Sequence, residues 1–286
     1  MRLLSALATV AVLLAGPAAA QTSEWRTVSP ENLLVIDTTK GRILVEMEPE
    51  AAPLQVERIR TLTRQGFYDG IAFHRVMTGF MAQTGDPLGT GEGGSDLPDL
   101  PAEFTFRRGS EPAFAAITGS DRNFSRPTGA QLGLFGALPV MTQPDGQMFA
   151  TRDGRVDATA WFCPGVVGAA RTGGNVNSAN SQFFIMTAAN DSLNGQYTVW
   201  GRVVGSMDAV TALQPGAAGS GLVPEAVRDR MLQVRIAADI PAAERPTARV
   251  LDVRSERFRQ LVEERRAAEG SGFSICDISL PSEITN

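Results

Sequence analysis

A single histidine, His74, limits the chemistry open to this 286-residue chain. Zinc sites built on two or three histidines are excluded, and two cysteines, Cys163 and Cys276, are too few for a thiolate-rich site. A Ser-His-Asp or Cys-His nucleophile would have to recruit His74 itself. The acids are scattered, none in an evidently apolar setting, and read as solvated surface. Gly89-Thr90-Gly91-Glu92-Gly93-Gly94 matches the dinucleotide pattern G-x-G-x-x-G, which requires a following helix to present its N–H groups to a pyrophosphate. Pro98 and Pro101 oppose that helix, so the segment reads as a mobile glycine-rich loop.

The stretch from Phe73 to Gln83, FHRVMTGFMAQ, is more informative. On a strand Phe73, Arg75 and Met77 share one face. Arg75 is then either a snorkelling surface arginine or a fixed donor in an apolar groove. His74 falls on the opposite face, where it reads as a structural histidine with its ring nitrogens satisfied. In Ser181-Gln182-Phe183-Phe184-Ile185 the adjacent phenylalanines take opposite faces of one strand, one entering a core and the other lining a groove or simply packing.

The elements that would carry these residues are mainly short strands. Leu33 to Ile36 and Ile43 to Met47 flank the turn Thr39-Lys40-Gly41, and further β-like runs cover 71–77, 80–83, 182–187 and 197–204. A helix is expected over about 50–65, with Val56, Ile59 and Leu62 on one face and Gly66 as its stop. A second short helix fits Ser206 to Leu213. Closely spaced strands with few helices point to an antiparallel barrel or sandwich. Residues about 107–162, rich in Pro, Gly, Gln and Asp, read as a long insertion. Within a C-terminal extension of about 241–286, residues 254–268 form an extra helix burying Phe258, Leu261 and Val262, with an Arg259–Glu263 pair outside. A closing strand is expected through Phe273, Ile275 and Ile278.

Composition narrows the class: 43% hydrophobic and 20% charged residues are ordinary for a folded soluble chain. The 26 basic and 31 acidic residues leave a net charge of −5, which removes the basic excess that nucleic acid partners demand. Arg2, the apolar run Leu3 to Leu14 and the small residues Ala18-Ala19-Ala20 read as a signal peptide over 1–20, cleaved after Ala20, with no stable membrane insertion of the remainder. In a Gram-negative host the destination is the periplasm. There, Cys163 and Cys276 are compatible with one disulfide or with two buried free thiols.

Phe73-His74-Arg75, Gly79-Phe80-Met81-Ala82-Gln83, Gly89-Thr90-Gly91, Ala170-Arg171-Thr172, Ser181-Gln182-Phe183-Phe184-Ile185 and Val199-Trp200-Gly201-Arg202-Val203 occur in an order that resembles the cyclophilin family of peptidyl-prolyl cis-trans isomerases. The likeness covers about 33–106 and 164–214. It implies a mainly β fold, a closed eight-stranded antiparallel barrel capped by two helices, over a domain of residues 31–286 that includes the insertion and the extra C-terminal helix. It also implies roles: Arg75 as the catalytic arginine, Phe80, Met81, Phe184 and Leu193 as the proline-ring pocket, and Gln83 as the holder of the substrate backbone. Ala170 and Arg171 match the segment lying against the residues before proline. Proline-containing polypeptides are the implied substrates, a monomer is expected, and no cofactor is called for. The alternative is a module that grips proline segments without turnover.

Physical chemistry agrees with that implication. Rotation about X–Pro is opposed by amide resonance, a barrier of ~18–20 kcal/mol, and breaks no bond. A guanidinium near the prolyl nitrogen stabilises the twisted state, in which the nitrogen lone pair is freed. Two positions depart from many eukaryotic members: Ser192 stands where they have tryptophan and Tyr197, still a substrate-contact position, where they have histidine. Weak cyclosporin binding is therefore expected.

Overall fold

The computed structural model describes residues 23–119 and 129–285; the proposed signal peptide 1–20 lies outside them, as does part of the insertion. Eight strands form one curled antiparallel sheet, in the order Met231–Ile236, Leu33–Thr38, Gly41–Met47, Val199–Val204, Val166–Ala169, Phe183–Met186, Met81–Thr84 and Arg75–Met77. The expected closed barrel is not what the strand pairing gives. The two end strands share no ladder, because the chain before Arg75 runs as a loop. The seam is instead bridged by the segments leading into them, through main-chain bonds such as Phe73 N–H to Asp229 O and Met231 N–H to Ile71 O, both 2.9 Å.

Inside the curl a core gathers Ile36, Ile43, Val45, Phe73, Val76, Phe183 and Trp200. The helix Pro53–Arg64 closes one opening with Val56, Ile59 and Leu62 buried, as expected, and Gly66 ends it at φ +69°. Its N-terminus lacks a local side-chain cap. The Glu103 carboxylate serves instead, accepting from Leu54 N–H at 3.0 Å and Gln55 N–H at 2.9 Å. The second helix is short, Asp208–Thr211.

The insertion is more ordered than its composition implied. Phe106–Arg108, Phe114–Ala116, Gln131–Phe135, Leu138–Thr142 and Val156–Ala160 form a five-stranded antiparallel sheet. Its buried residues, among them Leu134, Phe135, Leu138 and Val140, join Met81, Phe184 and Met186 from the outer face of the main sheet in a second core. The helix Glu256–Glu269 adds Phe258, Leu261 and Val262, and Phe273, Ile275 and Ile278 complete it. Two expectations for this extension are corrected. Phe273 to Ile278 makes a short helical turn, held by a reciprocal Ser274–Asp277 cap, while the final strand is Ser282–Thr285, paired with Thr247–Leu251. Arg259 pairs with Glu256 one turn back, because Glu263 is taken by Arg266 at 2.6 Å.

Two devices tie extension and insertion to the body. Cys163 and Cys276 are disulfide-bonded, with Cα atoms 4.8 Å apart. Arg202 is buried without a carboxylate partner, donating to Ala137 O (3.0 Å), Pro164 O (3.4 Å) and Ile278 O (3.0 Å). Burial pushes its guanidinium down to about 10. The acids are not all solvated either. Glu48 is 7% exposed, at the junction with the insertion, where a Cβ on Gly136 would lie 3.6 Å from Oε2. Burial first, then the neighbouring Glu46, pushes its carboxyl up to about 8.

Candidate active site

Strand register assembles the site. Arg75 pairs with Gln83, Gln83 with Phe184 and Phe184 with Gly168, so one row crosses four strands on the outer face. Phe183 and Phe184 divide between the inner and outer cores as alternation requires. Phe73 does not share the face of Arg75 and Met77. The strand begins only at Arg75, and Phe73 drops into the inner core with Val76.

All nine residues expected at the site line one pocket of about 140 Å³: Arg75, Phe80, Met81, Gln83, Ala170, Arg171, Phe184, Leu193 and Tyr197. Phe80 reaches it from the turn Met77-Thr78-Gly79-Phe80, where Gly79 takes φ +70° and Phe80 N–H bonds Met77 O at 3.0 Å. The floor is aromatic. Phe162 stacks on Phe184 at 5.7 Å between centroids, and Tyr197 meets Phe184 edge-on at 5.6 Å. Gly168 makes that stack fit, because a Cβ there would stand 2.7 Å from Phe184 Cζ and 2.9 Å from Phe162 Cε1. An alanine at 168 has to displace one ring or the other.

Arg75 is half-buried and held in place. Its Nε donates to Ser220 O at 2.9 Å, Nη1 to Gln83 Oε1 at 3.3 Å and Nη2 to Met77 Sδ at 3.0 Å. Gln83 in turn donates to Gln182 Oε1 at 2.9 Å, and Gln182 donates to Gly91 O and Gly93 O. The thioether is a weak acceptor, so that arm of the guanidinium is readily given up to a better one.

Sequence reasoning missed this support. Ser220 acts through its carbonyl, and Gly221 and Gly216 clasp Val76 by main-chain bonds of 2.8 and 2.9 Å. No side chain announces such a role. The glycine spacing was a faint signal: a Cβ on Gly221 would lie 2.3 Å from Met77 Cγ.

Phe162 was missed as well. Its N–H donates to Asn194 Oδ1 at 2.8 Å and its carbonyl accepts Asn190 N–H at 2.9 Å, which hangs the turn bearing Leu193 on the segment next to Cys163. Ser192 is exposed on that turn, next to the pocket-lining Leu193.

The loop 89–94 is pinned rather than loose. Leu88, Thr90 and Gly91 all donate main-chain N–H groups to Asp86 at 2.6–2.8 Å. Burial opposes ionisation of Asp86, but those N–H groups hold its carboxyl below the usual range. His74 beneath them is fully buried, and burial lowers its pKa. Among the described residues neither ring nitrogen has a hydrogen-bond partner, contrary to the satisfied histidine expected; Gly89 and Gly91 lie beside the ring. A second, wider hollow of about 650 Å³ adjoins the pocket and shares Gln83, Ala170 and Arg171 with it. Among the described residues no group of three or more His, Cys, Asp or Glu is placed to hold a metal.

The chain is similar to known proteins over most of its length. The family profile of cyclophilin type peptidyl-prolyl cis-trans isomerases matches residues 33–237. A probable peptidyl-prolyl cis-trans isomerase of Brucella suis biovar 1 is 36% identical over 247 residues, spanning 82% of this chain and 96% of its own. A protein of the same description from Brucella abortus (strain 2308) matches to the same extent. The crystal structure of cyclophilin AquaCyp293 from Hirschia baltica superposes with a TM-score of 0.76 at 32% identity, covering 91% of this chain and 93% of that one. With an arginine and a proline-sized apolar pocket on one sheet face, and these relatives over nearly its whole length, the chain belongs to the cyclophilin-type peptidyl-prolyl cis-trans isomerases.

Proposed function

We propose that the protein is exported, its leader removed after Ala20, and that it turns X–Pro bonds in periplasmic polypeptides and so assists their folding. The observation that carries the catalytic part is the convergence of Arg75, Gln83 and the apolar wall in a single 140 Å³ pocket. Phe80, Met81, Phe184 and Leu193 hold the proline ring still. Gln83, fixed by Gln182, holds the substrate backbone, and Arg75 donates to the prolyl nitrogen as amide resonance is lost. The Cys163–Cys276 disulfide supports the location, since such bonds persist in oxidising compartments. The protein acts as a monomer.

The test is cis-to-trans kinetics of a short X–Pro peptide with the chain from residue 21, alongside N-terminal sequencing of the protein recovered from the periplasm of a Gram-negative host. Acceleration and an N-terminus at Gln21 are expected. A folded protein that binds the peptide without accelerating it would instead be a proline-gripping module; an intact leader would refute cleavage after Ala20, and absence of the protein from the periplasm would refute export.

Cyclosporin is expected to bind weakly, because Ser192 offers a hydroxyl already bonded to Asn190 Oδ1 at 2.6 Å where an indole would supply a large apolar contact. Titration calorimetry giving a nanomolar Kd would contradict this.

A further inference from the structure

Arg171 is built with more care than a rim residue needs. Its guanidinium lies over the Tyr197 ring at 4.5 Å from the centroid, a cation–π stack that fixes the plane. Nε donates to Gln196 O at 3.0 Å and Nη1 to Thr172 O at 3.3 Å. Carbonyl oxygens take up those donors without neutralising the charge. Among the described residues no carboxylate forms an ion pair with Arg171, and Nη2 has no acceptor of its own.

Its position adds meaning to that free charge. Arg171 lines both the 140 Å³ pocket and the 650 Å³ hollow, so it stands on the sill that a polypeptide crosses on leaving the proline pocket. Two carboxylates, Glu92 and Asp99, line the wider hollow but not the proline pocket, and Asp99 already accepts from Asn180 Nδ2 at 3.0 Å. The only charged side chains lining the proline pocket are thus Arg75 and Arg171, both cations.

We propose that Arg171 selects substrates with acidic side chains in the two positions preceding proline. The proposal rests on the proline-pocket reading above. A guanidinium held by a ring and two carbonyls is pre-organised, so little side-chain entropy is lost when Nη2 meets a carboxylate. A lysine at the same positions meets an unneutralised cation. The two effects add in the ratio between acidic and basic substrates.

The experiment measures kcat/KM for three peptides, Glu-Glu-Pro-Phe, Ala-Ala-Pro-Phe and Lys-Lys-Pro-Phe, with the wild-type chain, Arg171→Gln and Arg171→Glu. Exposed charge pairs are worth up to about 1 kcal/mol each, so the Glu-Glu to Lys-Lys ratio in wild type is expected to be about three- to tenfold at low salt. It should shrink toward one in about 1 M salt. Arg171→Gln brings the ratio most of the way to one, leaving only what Arg75 contributes, and Arg171→Glu lowers it further. A ratio within one variant is unaffected by the fraction of protein folded, so a purely structural role for Arg171 would leave it untouched. A wild-type ratio of one, or a ratio undiminished in Arg171→Gln, overturns the proposal. Failure of the wild type to accelerate any of the peptides would instead overturn the isomerase reading beneath it.

Discussion

Arg75→Ala is expected to lower kcat/KM for X–Pro isomerisation by about 10²–10³-fold while the protein stays folded. Removing one pre-organised donor to a transition-state charge costs ~2.7–4 kcal/mol, which is that range in rate. The fold does not depend on this guanidinium. It is half-buried, and its three partners are a loop carbonyl, a glutamine and a thioether, none of them a buried charge left behind. The loss should fall chiefly on kcat, because the planar ground states are gripped by the apolar wall, which the substitution leaves in place. Peptide kinetics beside circular dichroism and a thermal melt make the check. Near-wild-type turnover by a folded variant would remove Arg75 from its role.

The second large effect concerns stability and pH. Glu48 has a folded-state pKa near 8, against an ordinary value near 4.5. Between those values the folded protein keeps a proton that the unfolded chain has released. Stability therefore falls as pH rises through this window, and the loss is complete above about 8. A shift of this size corresponds to a few kcal/mol, on the order of 5 at the limit. That amounts to a fall in Tm of roughly 10 °C for a protein this large. Glu48→Gln keeps the shape and removes the proton exchange. Melts at pH 5.5 and 8.5 should show the wild type losing ground to this variant as pH rises. Parallel pH profiles for the two proteins would mean that Glu48 is ionised throughout.

Much of this was legible in the sequence because the signals were local. The apolar runs Leu33 to Ile36 and Ile43 to Met47 around their turn, and the spacing of Val56, Ile59 and Leu62, depend on residues a few positions apart, and the structure follows them. The resemblance to cyclophilins brought all nine pocket residues together because it records a whole constellation rather than a period. What failed was non-local. The insertion's strands are only three to five residues long, and the edge strand Phe114–Ala116 is half-exposed, too short for a period to declare itself. Glu48 looked solvated because nothing near it in sequence reveals that Gly136 closes over it. Support for Arg75 comes from the main chain of 216–221, where no side chain takes part in the bonds that hold it.

The second core also sets an order of events during synthesis. Every residue lining the pocket precedes Thr198, yet the apolar layer behind Phe184 and Met81 is finished by Phe273, Ile275 and Ile278, and its disulfide by Cys276. Arg202 likewise waits for the Ile278 carbonyl. A growing chain that already carries Arg75, Phe184 and Tyr197 thus lacks the wall that sets them in place. The pocket's backing is therefore complete only once residues 273–278, more than seventy positions beyond Tyr197, have packed behind it.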